Sequence, residues 1–328
     1  MNQLEEQFYE KDFYFSYSSI NKLRYDPSLF YSYYVLGERE EKLESYLVDG
    51  RVLHCLLLQP EEFDNQFIIA PGKTPTPNTK KILDRLFAET ENPNKDLNNY
   101  HEEILKYLIE YNLHQSLKTD EQRINKIIDA DSITYWEYRC KVSDKITVID
   151  EDTYNRMLNA VDICKENEQV KEIFSLKDDE EFDEYKVYNE HYLQYDLKGK
   201  NYGLKGIIDK FVVNHKEKSI HVYDLKTTGK VNKEFPETIE FYSYWMQAAI
   251  YCLLASKFVQ ENADTQYSIR FSFIVLDKLN QVCIFDISNN TLNEWLERLV
   301  QEFNRLDYHY NERDFKLPFE LRTGRVTL

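Results

Sequence analysis

The chain has 328 residues, of which 42% are hydrophobic and 15% aromatic, so it can bury a substantial core and is not disordered. A net charge of −17 opposes general nucleic-acid binding, and five scattered cysteines without a CxxC pair argue against zinc and iron–sulfur sites. No segment is long enough for a transmembrane helix, and the acidic start lacks a signal-peptide layout. We therefore expect a cytoplasmic protein without a membrane partner.

The first part of the chain is predicted to be helical. Residues 15–37 indicate a helix that begins after Ser16 or Ser18 and is interrupted at Pro27. Residues 48–63 predict a second, strongly apolar helix.

A turn-rich segment at 71–79 separates these helices from charged helices over 80–130. We therefore predict a helical N-terminal region at 1–150 that contains a variable helical insertion at about 72–150.

Strands dominate the second half of the pattern. The predicted elements are a helix at 151–174, strands within 184–213 and at 219–228, a helix at 239–259, two strands within 267–288 and a helix at 291–310. This order predicts an α/β (α+β) fold with a mixed central β-sheet flanked by helices. The core domain is expected at 151–310, followed by a C-terminal tail at 311–328.

Two neighbouring strands carry charges where apolar residues are usual. The runs IIDKFVV and IHVYDLKTT, joined by NHKEKS, predict a β-hairpin that brings Asp209, Asp224 and Lys226 together. Two close carboxylates repel unless a cation neutralises them, and Asp224 and Lys226 share one face of their strand. Leu225 can add its carbonyl oxygen, and Mg²⁺ prefers oxygen ligands. This set of residues fits metal-dependent phosphodiester hydrolysis. A D-x-K triplet by itself is common, however, and more often forms only a surface salt bridge.

A cluster of lysines surrounds this hairpin. Residues 198–233 contain nine lysines and three acidic residues, a local charge of +6 that leaves −23 for the remainder. The charge predicts contacts with phosphate groups, Lys205 and Lys230 among them. A solvated, lysine-rich hairpin explains the charge equally well.

The hairpin and the following helix resemble a known family. GIIDKFVV followed by HVYDLKTTG resembles the core motif of the PD-(D/E)XK nuclease superfamily, with Asp209, Asp224 and Lys226 in the matching places. Gln247 and Tyr251 resemble the Q-x-x-x-Y motif of RecB-like exonucleases, whose helix lies along the DNA channel. The resemblance implies a restriction-endonuclease-like core in which these two residues position the DNA strand.

The N-terminal region resembles one branch of that superfamily. GRVLHCLLLQPEEF resembles the G-x-x-x-H-x-x-x-x-x-P-x-x-F segment of the RecE-type (exonuclease VIII) branch, which implies that His54 is a metal ligand. Glu190 lies where related enzymes carry an acid on the preceding strand, and it would bind the metal directly or through water. The implied cofactor is Mg²⁺, with Mn²⁺ as an alternative because histidine is a softer ligand.

The resemblance implies a metal-dependent exonuclease that hydrolyses duplex DNA from its ends in phage-type recombination or DNA processing. A single-strand annealing protein and a homo-oligomer are the implied partners. Two alternatives stay open: an endonuclease or nickase of the same superfamily, and a catalytically silent nuclease fold that binds DNA or protein. Residues 72–150 match no part of the family pattern.

Overall fold

The computed structural model describes residues 3–10, 13–38, 45–143, 145–176, 184–260 and 266–325. The chain divides into two compact units, one of residues 1–59 together with 160–328 and one of residues 60–159. The predicted domain boundaries at 150 and 310 stay predictions.

The elements up to the middle of the chain are mostly helical. They are α1 (Gln3–Tyr9), β1 (Phe13–Phe15), α2 (Tyr17–Tyr25), α3 (Pro27–Phe30), a π-helical turn (Tyr31–Val35), α4 (Ser45–Leu58), α5 (Phe63–Gln66), β2 (Phe67–Ile69), α6 (Pro77–Glu89), α7 (His101–Glu110), α8 (Asp120–Ile127), α9 (Ala130–Lys141), β3 (Thr147–Ile149) and α10 (Glu151–Glu166).

The later elements contain the longer strands. They are α11 (Glu168–Ser175), β4 (Tyr185–Asp196), β5 (Tyr202–Asn214), β6 (Ser219–Thr227), α12 (Phe235–Phe241), α13 (Tyr244–Gln260), β7 (Ser268–Leu276), β8 (Val282–Ile287) and α14 (Asn289–Glu312). Short 3₁₀ helices occur at Pro60–Glu62, Leu97–Tyr100, Asn232–Glu234 and Phe319–Leu321.

A mixed sheet of six strands lies at the centre of the first unit. β5 pairs along one edge with antiparallel β4, and along the other with parallel β1 and then antiparallel β6. β6 pairs in parallel with β7, which pairs antiparallel with β8. Parallel neighbours need a crossover connection, which α12 and α13 provide between β6 and β7. The predicted mixed α/β fold class is confirmed.

The core of this unit lies between the sheet and its helices. On β6, the alternate residues Ile220 and Val222 lie on one face and belong to a buried cluster that also contains Phe211 from β5. α13 is apolar around most of its circumference and is correspondingly buried, whereas α14 buries one stripe of side chains. α13 therefore packs against the sheet within this core.

The predicted β-hairpin is present, and its two strands separate at the charged residues. The β5–β6 ladder runs from Asn214↔Ser219 to Lys210↔Tyr223 and ends there. One step further, the Asp209 carboxylate accepts a hydrogen bond from the Leu225 backbone N–H at 2.7 Å. The Asp209 side chain thus takes the place of a backbone acceptor on β5. Its carboxylate lies between the two diverging strands.

The opening helices also follow the sequence pattern. Ser16 caps α2, and its side chain and that of Ser19 form a reciprocal capping box. The helix ends before Pro27, which begins α3.

The single helix predicted at 239–259 is wrong, because α12 and α13 are separate helices. Ser243 between them has φ of +60°, a left-handed conformation that an α-helix cannot include.

The second unit combines a short parallel pair, β2 with β3, with the helices α5 to α9 and the first part of α10. α6, α7, α8 and α9 supply the apolar side chains of its core, around the fully buried Trp136. None of the helices in the described part of the chain combines the length and apolar character needed to cross a bilayer.

Candidate active site

Three polar side chains from three elements meet within the first unit. His54 of α4, Glu190 of β4 and Asp209 of β5 each offer a ligand atom, and these atoms lie within 4.8 Å of one another. The His54 Nδ1 atom is 3.3 Å from Oε1 of Glu190 and 3.6 Å from Oδ1 of Asp209. Two carboxylates and an imidazole so close together can share one cation.

His54 links the carboxylates to the backbone of β6. Its Nε2 lies 2.9 Å from the Leu225 carbonyl oxygen, which only accepts hydrogen bonds, so Nε2 carries a proton. Burial lowers the pKa of His54, but Asp209 and Glu190 outweigh burial and raise that pKa to about 9. The imidazole is then positively charged at neutral pH, which shows how strongly this group of oxygens favours a cation.

Glu190 has a strained backbone at the centre of β4. Its φ is +44°, in the left-handed region that costs a residue with a side chain about 1 kcal/mol or more. The flanking pairs Asn189↔Lys210 and His191↔Ile208 place Glu190 directly opposite Asp209. Like charges facing each other across a ladder destabilise a sheet. Two such costs at one position are typical of a functional site.

Asp224 and Lys226 form a buried ion pair beside this group. Asp224 is 0% exposed, and Nζ of Lys226 lies 2.5 Å from its Oδ2 atom. Oδ1 of Asp224 is buried and receives no hydrogen bond from any described residue. A buried carboxylate oxygen is costly without a partner, and it is the kind of ligand that a hard divalent cation binds.

The charges of this pair depend on their surroundings. Burial raises the pKa of Asp224, and Asp209 raises it further, while Lys226 opposes both. Burial lowers the pKa of Lys226, but Asp224 and Asp209 reverse this and leave it raised. The Lys226 ammonium therefore stays protonated at neutral pH, as a charged donor rather than a base.

An aromatic residue that the sequence analysis did not single out contacts the catalytic candidate. Nζ of Lys226 lies 4.9 Å from the centre of the Tyr244 ring. Tyr244, Gln247 and Tyr251 are spaced i, i+3 and i+7, so they share one face of α13. This spacing is the sequence signal that could have identified Tyr244.

The two residues of the predicted Q-x-x-x-Y motif contact each other. Gln247 Nε2 donates a hydrogen bond to the Tyr251 hydroxyl at 3.0 Å, and each residue is only 8% exposed. Tyr251 also lines a cavity of about 290 Å³. Other residues around this cavity include Ser16, Ser18, Tyr192, Lys205 and Ile207.

The lysine-rich segment does not form a single surface. Lys205 lines the cavity beside Tyr251, and Lys230 is exposed in the turn after β6. Lys210 is 2% exposed and donates to Oδ1 of Asn189, so the prediction of a phosphate contact is wrong for this lysine. Near the start of the segment, Lys200 pairs with Asp307. Some lysines of the segment therefore bind partners within the protein and do not add to an exposed positive surface.

A protein-family model matches most of the chain. The model of the PD-(D/E)XK nuclease superfamily matches residues 14–316. A solved structure of a candidate exonuclease from Eubacterium rectale is 13% identical, with a TM-score of 0.49, over 99% of this chain and 91% of that one.

The solved structure of SSO0001 is 15% identical, with a TM-score of 0.22, over 68% of this chain and 84% of that one. No curated protein matches the chain. The family match covers most of the chain, and Asp209, Asp224 and Lys226 meet at the diverging ends of two strands. The chain belongs to the PD-(D/E)XK nuclease superfamily.

Proposed function

We propose that this protein is a divalent-metal-dependent deoxyribonuclease that acts as a RecE-type exonuclease on duplex DNA ends. Membership of a nuclease superfamily implies a nucleic-acid substrate. The observation that supports the proposal most is the convergence of His54, Glu190 and Asp209 within 4.8 Å. The buried Asp224–Lys226 pair beside them supplies the remaining parts of a hydrolytic site.

The donor atoms fit Mg²⁺, with Mn²⁺ as the alternative that accepts imidazole more readily. His54, the carboxylates of Asp209 and Asp224 and the carbonyl of Leu225 would hold one or two such ions, with Glu190 bound directly or through water. A divalent cation there supplies an activated water molecule and stabilises charge on the phosphate.

Lys226 is proposed to act on the attacking water and the scissile phosphate. Because its ammonium stays charged, it can orient the water by hydrogen bonding and stabilise the negative charge that develops on phosphate oxygens. Asp224 and the Tyr244 ring hold it in place.

The remaining contacts with DNA are proposed from the family resemblance. Gln247 and Tyr251 would position the strand, and Lys205 and Lys230 would contact phosphates. We also propose a role in phage-type recombination or DNA processing in the cytoplasm, an annealing protein as partner, and a homo-oligomeric state.

The form of the DNA substrate tests the proposal. Linear duplex labelled at the 5′ or 3′ ends and closed circular duplex are incubated with Mg²⁺, Mn²⁺ or EDTA. We expect metal-dependent loss of the linear DNA only, with the order of label release giving the polarity. Cutting of the circle would identify an endonuclease or nickase. Intact DNA under every condition would identify a silent binding module.

A further inference from the structure

Two adjacent aromatic side chains are exposed at the junction of α12 and α13. Phe241 is 79% exposed and Tyr242 is 46% exposed, and their ring centres are 4.8 Å apart. Single exposed apolar residues are common in proteins, but here two aromatic rings are neighbours. Their planes are at 89°, so a flat group can stack on the exposed face of one ring while the other ring flanks it. We refer to Phe241 and Tyr242 as the aromatic platform.

The backbone under the platform is fixed by contacts with α2. Ser243 holds a left-handed φ of +60°, which is unfavourable for a residue with a side chain. Its hydroxyl accepts a hydrogen bond from Nη1 of Arg24 at 2.8 Å, and the Tyr17 hydroxyl donates to the Tyr242 carbonyl at 2.6 Å. These contacts hold the chain reversal, where the Phe241 ring is largely exposed and the Tyr242 ring lies beside the Tyr244 ring.

The platform lies next to the catalytic lysine. The Tyr242 and Tyr244 rings are 5.5 Å apart and tilted by 32°, and the Tyr244 ring is 4.9 Å from Nζ of Lys226. These two steps limit the distance from the Tyr242 ring to Nζ of Lys226 to about 10 Å. That upper limit corresponds to at most about three base steps of a DNA strand, at roughly 3.4 Å each.

We propose that Phe241 and Tyr242 stack on an unpaired base of the DNA strand that enters the active site. This inference rests on the proposed deoxyribonuclease function and narrows its substrate to DNA with an unpaired or frayed end. An aromatic ring stacks on any base, because every base has a π face, so the platform selects unpaired DNA without selecting sequence. A base engaged in pairing and stacking inside a duplex cannot offer that face.

The test removes the rings from the protein and the bases from the DNA. Binding is measured by fluorescence anisotropy with Mg²⁺, in an Asp224→Asn background that prevents cleavage. The probe is a labelled duplex with three unpaired nucleotides at one end, either thymidines or abasic sites. Phe241→Ala/Tyr242→Ala should weaken binding of the thymidine probe by about 5- to 150-fold. It should leave binding of the abasic probe unchanged.

Two matched variants control for the fold. Phe241→Tyr/Tyr242→Phe keeps both rings and should bind the thymidine probe like the background protein. Val300→Ala truncates another exposed apolar side chain, 62% exposed on α14, and should have no effect.

Equal losses on both probes, or no loss on either, would overturn the stacking role. Loss of a dimer in light scattering, with DNA affinity unchanged, would instead identify the platform as an interface between copies. If the background protein and the wild type bind neither probe, the proposed DNA function fails together with the platform. Normal wild-type cleavage with an ineffective double substitution would refute the platform alone.

Discussion

Charge compensation at single residues determines what this site can do. Asp209, Glu190 and Asp224 place three acidic groups around His54 and Lys226. The raised pKa values of His54 and Lys226 show that the two side chains are held as cations by these neighbours. The site is therefore built for positive charge, and each residue can be tested for metal binding and for chemistry separately.

Lys226 should contribute to chemistry without binding the metal. The substitution Lys226→Gln removes the charged donor that stabilises the negative charge developing on the phosphate. We therefore expect the cleavage rate to fall by about 10²- to 10³-fold. The increase in melting temperature caused by Mg²⁺ should persist, because no proposed ligand is lost. Lys226→Arg retains the charge and should restore part of the rate. A variant that cleaves at the wild-type rate would contradict the role.

Glu190 should contribute to metal affinity. A ligand present at ten times its dissociation constant stabilises the folded state by about 1.4 kcal/mol, which a thermal melt detects. Glu190→Gln weakens the negative group opposite Asp209, so the Mg²⁺-induced rise in melting temperature should be smaller. Glu217→Gln, an exposed glutamate in the hairpin turn, serves as control. Equal shifts for wild type and both variants would contradict a role for Glu190 at the metal.

The close contact between β5 and α13 is the main constraint at the level of elements. A Cβ atom at Gly206 would lie 2.8 Å from Cε1 of Tyr251 and 3.3 Å from Cδ1 of Leu254. The absence of a side chain at this position lets α13 bring Gln247 and Tyr251 near the site.

Gly206→Ala should therefore displace Tyr251. We expect a loss of about 1–3 kcal/mol in the free energy of unfolding, measured with urea, and a lower cleavage rate. Gly229→Ala is the matched control, because a Cβ there meets nothing within 4 Å and the change should stay within about 0.5 kcal/mol. Similar effects at both glycines would show that the β5–α13 contact is not tight.

Elements with local signals could be predicted from the sequence. The capping serine before α2 and the alternation in β5 and β6 are short-range patterns, and both predictions are confirmed. The break between α12 and α13 was missed because Ser243 adopts its conformation through Arg24, more than 200 positions away in the chain. No pattern within 239–259 contains that information.

Across the whole molecule, a half-buried histidine of the central sheet links stability to pH. Ser272 donates to Oδ1 of Asp286, so it accepts from Nε2 of His221, whose Nδ1 accepts from the Tyr223 hydroxyl. This chain of donors holds His221 neutral. Burial lowers its pKa to about 4, with Arg270 in the same direction and Asp286 opposing.

The sign of the pH effect follows from that lowered pKa. Below the ordinary pKa of about 6.5, the unfolded chain binds a proton at this position that the folded chain does not. Stability is therefore full above pH 6.5 and is lost as the pH falls toward 4.

His221→Gln keeps a hydrogen-bond donor and an acceptor but has no group that titrates in this range. Between pH 7 and 4.5, its free energy of unfolding in urea should fall by about 2–3 kcal/mol less than that of the wild type. His101→Gln, at an exposed site, should follow wild type. If the free energy of unfolding depends on pH in the same way in all three proteins, His221 is not held neutral in the folded state.

The residues that meet at the candidate site could largely be predicted from the sequence. Which lysines form ion pairs within the fold could not. His54, Asp209, Asp224 and Lys226 each belong to a short motif, and the structure brings them together although they span more than 170 positions. The net charges of segments did not reveal which lysines are used internally, because partners such as Asp307 for Lys200 are distant in sequence. The strain at Glu190 likewise arises only in the folded sheet.

The proposed function requires the Asp224 carboxylate to be part of a metal-dependent site that hydrolyses DNA. The most direct measurement compares cleavage of labelled linear duplex by wild type, Asp224→Asn and the exposed control Asp162→Asn, each with Mg²⁺ or EDTA. We expect cleavage by wild type and Asp162→Asn with Mg²⁺ only, and none by a folded Asp224→Asn. Cleavage by Asp224→Asn, or wild-type cleavage that persists in EDTA, would contradict the account.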